Sequence, residues 1–298
     1  MFLLENNKGK SDSMIKVDNV TKNFEDFSFS LTDINFEVPK GYICGLIGEN
    51  GAGKSTLINM ILGLYRPNKG EIYVNGSNII LEEAKVKDQI GYVLAEEIFD
   101  SNQTLMGNAN TYGKYYSKYD SKKFIEYCER FELDYKCKLK RLSKGQKLKF
   151  QFAFALAHNP LLLVLDEPTA NFDPKFRKEF FDILTDFISD GEHSVILATH
   201  LTSDLEVIGD YITFLHKGRV VFSEDREKLL GSYRILQGPA YKGNLLNKDR
   251  VVRIEKKDSM MTALVRYSKF EEYDKELMVS IPTIEEIMYH YVKEDKYV

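Results

Sequence analysis

Between an apolar run, YICGLIG (42–48), and an amphipathic stretch, TLINMILGL (56–64), the chain carries GENGAGKST at 48–56. Gly48, Gly53, Lys54 and Ser55 stand in the spacing GxxxxGK[ST], which chance produces roughly once in a hundred chains of this length. Such a loop works only where a strand ends and a helix begins. Its glycines let backbone amides wrap a phosphate chain, and the helix N-terminus adds positive potential. Asn50, Gly51 and Ala52 fall within this cradle. The motif puts Lys54 on the β- and γ-phosphates, Ser55 on Mg2+ and Thr56 beside the α-phosphate. A chain built around it has to supply a parallel sheet.

Two further runs fit that sheet. LLLVLDE (161–167) and SVILATH (194–200) are almost continuously apolar and end in polar residues. Strands buried on both faces read this way, and ligands gather at their carboxyl ends. Asp166 is thereby expected in the Mg2+ shell, Glu167 as general base for an attacking water, and His200 as a γ-phosphate contact. Phe176, Phe180, Ile183, Leu184 and Phe187 fall on one face of a 3.6-residue period, which predicts a helix. Asp173 is its N-cap, Pro174 its first residue, and Asp190-Gly191 its stop.

The expected fold is α/β: a P-loop NTPase core with a parallel sheet over 14–231, following a loose leader at 1–13. A helical subdomain is inserted at about 92–159, with helical periodicity through 104–117 and 121–131. Residues 232–298 read as a small α+β C-terminal extension. It holds strand-like pieces, DRVVRIEKK and TALVRY, and a capping-box spacing between Thr283 and Glu286.

Composition narrows the function. With 41 basic and 45 acidic residues the net charge is -4, which recommends no nucleic-acid partner. The basic run Lys144–Lys149 reads as a solvated face. Cys44, Cys128 and Cys137 lack CxxC spacing and read as reduced thiols, Cys44 as a packing residue. The five histidines form no metal-binding pattern. The first residues do not read as a signal peptide, and no window approaches the ~20 apolar residues of a membrane span.

GENGAGKST, LSKGQ (142–146), LLLVLDEP, TANFDP and ATH, in that order and approximate spacing, resemble the nucleotide-binding domain of the ATP-binding cassette (ABC) superfamily over about 14–225. The resemblance implies ATP as the nucleotide. It implies that Phe24, in TKNF, stacks on adenine. It also implies that the signature segment Ser143, Gly145 and Gln146 faces a nucleotide held by another copy, with Asp173 across the same interface. Ser143 offers a hydroxyl, Gly145 permits close backbone approach, and the helix that follows presents amides to the γ-phosphate. Two departures stand out. Lys144 replaces the first glycine of the common LSGGQ signature. Ala95, followed by Glu96 and Glu97, replaces the glutamine that relays the γ-phosphate state to a transmembrane partner.

TLMGNANTYGKYYSKYD (104–120), the run from FALAHNP to VVFS, and PTIEEIMYHYVK (282–293) are similar to the bacitracin-export-like group, whose ATPases pair with separate permeases. The resemblance implies an ATP-hydrolysing subunit, more an exporter's than an importer's, that dimerises with itself or a close paralogue around two ATP molecules. It would work in the cytoplasm, peripheral on the inner membrane face through its permease. The alternatives are a soluble ABC-type ATPase with a regulatory or nucleic-acid-related role, and a regulatory module that binds ATP with little hydrolysis.

Overall fold

The computed structural model describes residues 13–24, 29–94, 98–268 and 273–292. The relay-loop residues Ala95, Glu96 and Glu97 lie outside them, as does the leader up to residue 12. Ser13, expected in that leader, instead opens the first strand and is buried, its hydroxyl donating to the carbonyl of Ile15 at 2.7 Å.

Alternating apolar residues build the first layer. β1 (Ser13–Asn23) pairs antiparallel with β2 (Ser30–Pro39), where Leu31, Ile34, Phe36 and Val38 point inward at near two-residue spacing. β3 (Ile43–Ile47) then crosses into a second sheet and leads to α1 (Lys54–Ile61). β4 (Lys69–Val74) and β5 (Ser77–Asn78) complete the first sheet in the order β2-β1-β4-β5.

The second sheet collects the fully apolar runs. α2 (Glu83–Asp88) precedes β6 (Ile90–Val93), after which come α3 (Leu105–Gly113), α4 (Ser121–Arg130) and α5 (Lys144–Ala157). The chain returns through β7 (Leu162–Asp166), α6 (Pro174–Ile188), β8 (Ser194–Thr199), α7 (Thr202–Ile208), β9 (Tyr211–His216) and β10 (Arg219–Asp225). The strand order is β10-β9-β3-β8-β7-β6, parallel except for β10.

Side-chain alternation divides each strand between two cores. Leu162 and Val164 of β7, like Cys44, Leu46, Ile196 and Ala198, face the first sheet and α1. Leu163, Leu165, Val195 and Leu197 face the helices on the other side. Burial on both faces is why these runs show no polar alternation. Cys44 is buried as expected, and burial raises its thiol to about 11.

The two expected helical stretches form α3 and α4, and with α5 they share the core beneath the sheet. Aromatic rings fill that space. Phe131 stacks on Phe152 with centroids 5.7 Å apart, and Phe99 meets Phe150 edge-on at 4.9 Å. On α6, Phe176, Phe180, Ile183 and Leu184 are buried, Asp173 accepts from the Phe176 amide at 2.9 Å, and the helix stops just before Gly191. The basic run at the start of α5 is not wholly solvated. Lys149 holds its ammonium over the Phe176 ring, 4.0 Å from the centroid, and 3.8 Å from Asp173.

After α8 (Arg226–Gly231), the strands β11 (Tyr233–Pro239), β12 (Val251–Lys257), β13 (Met260–Arg266) and β14 (Met278–Ser280) make a third, antiparallel sheet ordered β12-β13-β11-β14. α9 (Ile284–Val292) follows, with the capping box made: the Thr283 amide donates to Glu286 at 2.8 Å, and the Glu286 amide to the Thr283 hydroxyl at 3.1 Å. Ile284 and Ile287 join the core of the parallel sheet. Among the described residues no helix is long and apolar enough to cross a membrane.

His158, at the end of α5, is 1% exposed and stacks on Tyr116 with centroids 3.9 Å apart. Burial lowers its pKa from 6.5 to about 4, against an opposing pull from Asp88. The unfolded chain therefore binds a proton that the folded chain refuses between those values. This contribution to stability is complete above about 6.5 and declines as pH falls toward about 4. Comparing the protein with His158→Phe at pH 7 and pH 4.5 is expected to show ~2–3 kcal/mol less acid destabilisation in the variant. Equal losses in urea titrations would remove His158 from the acid response.

Candidate functional site

β3, β8 and β7 are neighbours in the sheet, and all three end at the same edge. The turn after β3 is the glycine loop, β7 ends on Asp166 and Glu167, and β8 delivers His200. Gly53 caps α1 at φ +110°, where a Cβ would also lie 2.4 Å from Leu31. Only glycine fits there.

The loop borders an open hollow of about 390 Å³, with Phe29, Asn50, Lys54, Ser55, Thr56 and Asp166 among its walls. Lys54 is 7% exposed; its ammonium donates to the carbonyls of Gly48 at 2.8 Å and Glu49 at 3.3 Å and lies 3.9 Å from Glu167. Burial holds its pKa below that of an ordinary lysine, while Glu167 and Asp166 pull it back upward. The result is a cation held at the bottom of an anion-sized recess.

Ser55 donates to Asp166 at 3.0 Å, so a hydroxyl and a carboxylate oxygen stand side by side at the recess wall. This donor set fits Mg2+, a hard cation that takes a few protein oxygens and completes its shell from phosphate and water. Among the described residues no cluster of three or more His, Cys, Asp or Glu forms a metal cage.

Glu167 adopts a left-handed backbone, φ 49° and ψ 43°. For a residue with a Cβ this conformation costs about 1 kcal/mol or more, and such strain collects at functional sites. Its amide still donates to the Ala198 carbonyl at 2.9 Å. The turn directs the carboxylate toward His200, whose Nδ1 lies 2.7 Å from Oε2. A carboxylate accepts, so that ring nitrogen carries the proton.

The start of α5 closes the neighbourhood from another side. Ser143 and Gln146 form a reciprocal capping box: the Gln146 amide donates to the Ser143 hydroxyl at 3.2 Å, and the Ser143 amide to the Gln146 side chain at 3.0 Å. The S-x-x-Q spacing carried this signal in sequence. Gly145 has a role within its own chain, because a Cβ there would sit 2.5 Å from the carbonyl of Asn171 in the turn after Glu167.

Two buried residues that the sequence reading did not single out hold these parts together. Asp204 on α7 is 0% exposed, accepts from the Thr169 hydroxyl at 2.6 Å, and pairs with Arg177 of α6. It ties the helix after His200 to the turn after Glu167. Gln151 of α5 accepts from the Leu94 amide at 2.9 Å and donates to the Leu94 carbonyl at 3.0 Å. Leu94 is the last described residue before the relay loop.

Phe24 is not among the residues that line the hollow. Its ring meets Tyr65 edge-on at 5.9 Å with the Lys22 ammonium 5.5 Å away, while Phe29 supplies the aromatic wall beside Gly53.

The ABC transporter family model matches residues 31–170. The phosphonates import ATP-binding protein PhnC of Wolinella succinogenes is 30% identical over 226 residues, which span 70% of this chain and 82% of that protein. The chain belongs to the ABC transporter family. It is an ATP-binding subunit of a transport system, from a family in which ATP hydrolysis is expected. The bacitracin transport ATP-binding protein BcrA of Bacillus licheniformis is 30% identical over 211 residues, covering 70% of this chain and 69% of that one. Among solved structures, the dimeric post-hydrolysis state of the ATP-binding cassette MJ0796 bound to ADP and Pi is 27% identical, with a TM-score of 0.64 over 71% of this chain and 98% of that one. The P-loop NTPase fold of the ABC cassette is thus present in this chain.

Gly145→Ala tests the contact inside the cassette. Crowding the Asn171 carbonyl is expected to lower stability by ~1–3 kcal/mol, read as a lower urea midpoint, while Lys144→Ala leaves the midpoint in place. An unmoved midpoint for Gly145→Ala would show that the two segments do not press together.

Proposed function

We propose that this ABC subunit hydrolyses ATP to drive a separate transmembrane permease, most closely in the manner of the bacitracin-export-like group. The observation that carries the reading is the convergence of Lys54, Ser55–Asp166 and Glu167–His200 at the ends of three adjacent strands. In this reading the amides of 48–56 and Lys54 bind the triphosphate. Bound Mg2+, held by Ser55 and Asp166, would neutralise phosphate charge. Glu167 takes a proton from the attacking water as its oxygen bonds to the γ-phosphorus. The bond to the β-phosphate oxygen breaks, and ADP and phosphate leave. His200 orients Glu167 and faces the γ-phosphate.

Adenine stacks on Phe24, as the family resemblance implies, with Phe29 a second aromatic side chain beside the phosphate loop. Two copies, or one copy and a close paralogue, pair so that Ser143, Gly145 and Gln146 of each face the other's ATP, with Asp173 at the same seam. Residues of about 92–159 push the permease, and 232–298 form an accessory region on a core spanning 14–231. The subunit works on the cytoplasmic face of the membrane. Support for export comes from the resemblance of the C-terminal PTIEEIMYHYVK to the bacitracin-export-like group. Support for pairing comes from the dimeric cassette of similar fold.

Glu167→Gln is expected to bind ATP, dimerise and release phosphate ~10²–10⁴ times more slowly. Turnover at the native rate would remove Glu167 from the base role. Phe24→Ala is expected to weaken ATP binding roughly tenfold through lost stacking, measured with a fluorescent ATP analogue. Native affinity in that variant, with loss in Phe29→Ala, would move the stacking role to Phe29.

A further inference from the structure

The C-terminal helix α9 stands beside the nucleotide edge of the cassette. Ile284, Ile287 and His290 anchor it in the core, and its capping box fixes its start. Its outward side, with Glu285 and Tyr289, forms one wall of a groove of about 430 Å³ whose other walls include Glu49, His200 and Thr202. Tyr289 is 48% exposed and its hydroxyl donates to Glu255 at 3.2 Å, which holds the ring in place. The side chain of Glu49 is 57% exposed, with its carboxylate 3.9 Å from the His216 ring, and Glu285 is exposed. Among the described residues Glu285 makes no ion pair. The groove therefore has an acidic rim, an aromatic wall, and the candidate catalytic histidine at one end.

The opposite character sits at the start of α5. Lys144 is exposed and, among the described residues, pairs with no carboxylate; Arg141, also exposed, stands just before it. Lys144 occupies the signature position where the resembled pattern has glycine, so it adds a long cation to a segment that otherwise works through its backbone. A cation there and an acidic groove beside the phosphate loop are complementary surfaces of one chain that do not meet within it. Two copies related by a two-fold axis would satisfy both pairs at once.

We propose that the acidic groove between the phosphate loop and α9 receives Lys144 of the partner subunit, so that the C-terminal region is part of the ATP-dependent dimer interface. The proposal rests on the dimeric reading above and names a contact that reading does not require. The ammonium sits between Glu49 and Glu285 with its stem against Tyr289. Charge pairs of this kind govern register and partner choice more than raw affinity, and they weaken as salt screens them. A close paralogue lacking either the lysine or the acid would pair less well, which gives the subunit a means of selecting its mate.

The test uses the full chain carrying Glu167→Gln, with Mg2+ and ATP, and reads the dimer dissociation constant by analytical ultracentrifugation. Glu49 is left unchanged because it belongs to the phosphate loop. Lys144→Glu and Glu285→Lys are each expected to raise the constant roughly tenfold, and the double variant to return it to within about threefold of the parent. Binding of a fluorescent ATP analogue to Glu285→Lys monomers should equal that of the parent, which separates the interface from folding and from the nucleotide site. Additive losses in the double variant, or no loss in either single variant, would overturn the contact while leaving the dimeric reading intact. If the Glu167→Gln parent stays monomeric with ATP, the dimeric reading fails and the contact fails with it.

Discussion

The parallel hydrogen bonding of β3, β8 and β7 is the constraint on which the rest depends. Ile47 lies opposite Thr199, and Asp166 opposite Ala198, so three strands terminate together. Each strand is apolar on both faces and cannot slip by one residue without exchanging the side chains of its two cores. That register places a glycine loop, a carboxylate pair and a histidine within reach of one another. Movement of one strand would separate Lys54 from Glu167 or Ser55 from Asp166.

Precision at the edge is then set by a few polar contacts. Glu167 is bent into a left-handed conformation whose cost is borne by the buried strand below it and by the hydrogen bond of its amide to Ala198. Asp204, wholly buried, makes the turn after Glu167 and the helix after His200 one unit. A buried carboxylate is tolerable because Arg177 and the Thr169 hydroxyl satisfy it. The Gly145–Asn171 approach joins the signature helix to the same turn. The signature segment is therefore mechanically continuous with the candidate base in its own chain.

Much of this was legible in the residues. The GxxxxGK[ST] spacing required a strand, a loop and a helix, and the apolar runs gave the neighbouring strands because burial on two faces leaves no polar alternation. The periodicity of Phe176, Phe180, Ile183 and Leu184 marked α6, and Asp173-Pro174 marked its start. The antiparallel sheet of β1, β2, β4 and β5 was less visible. Register shifts between Val17 and Val20 and between Val20 and Lys22 interrupt the alternation along β1. Lys149 read as solvated because charge alone does not reveal that an ammonium can sit over an aromatic ring from a distant helix.

By itself the sequence determined the kind of fold, the phosphate-binding chemistry and the residue types at three strand ends, because local spacing and polarity encode those directly. Tertiary structure alone decided that Phe29 borders the hollow, that Gly145 is needed against Asn171, that Asp204 locks two site segments, and that α9 stands beside His200. These are contacts between residues far apart in the chain. Their geometry exists only once the shared core has drawn the segments together, so no local spacing records it.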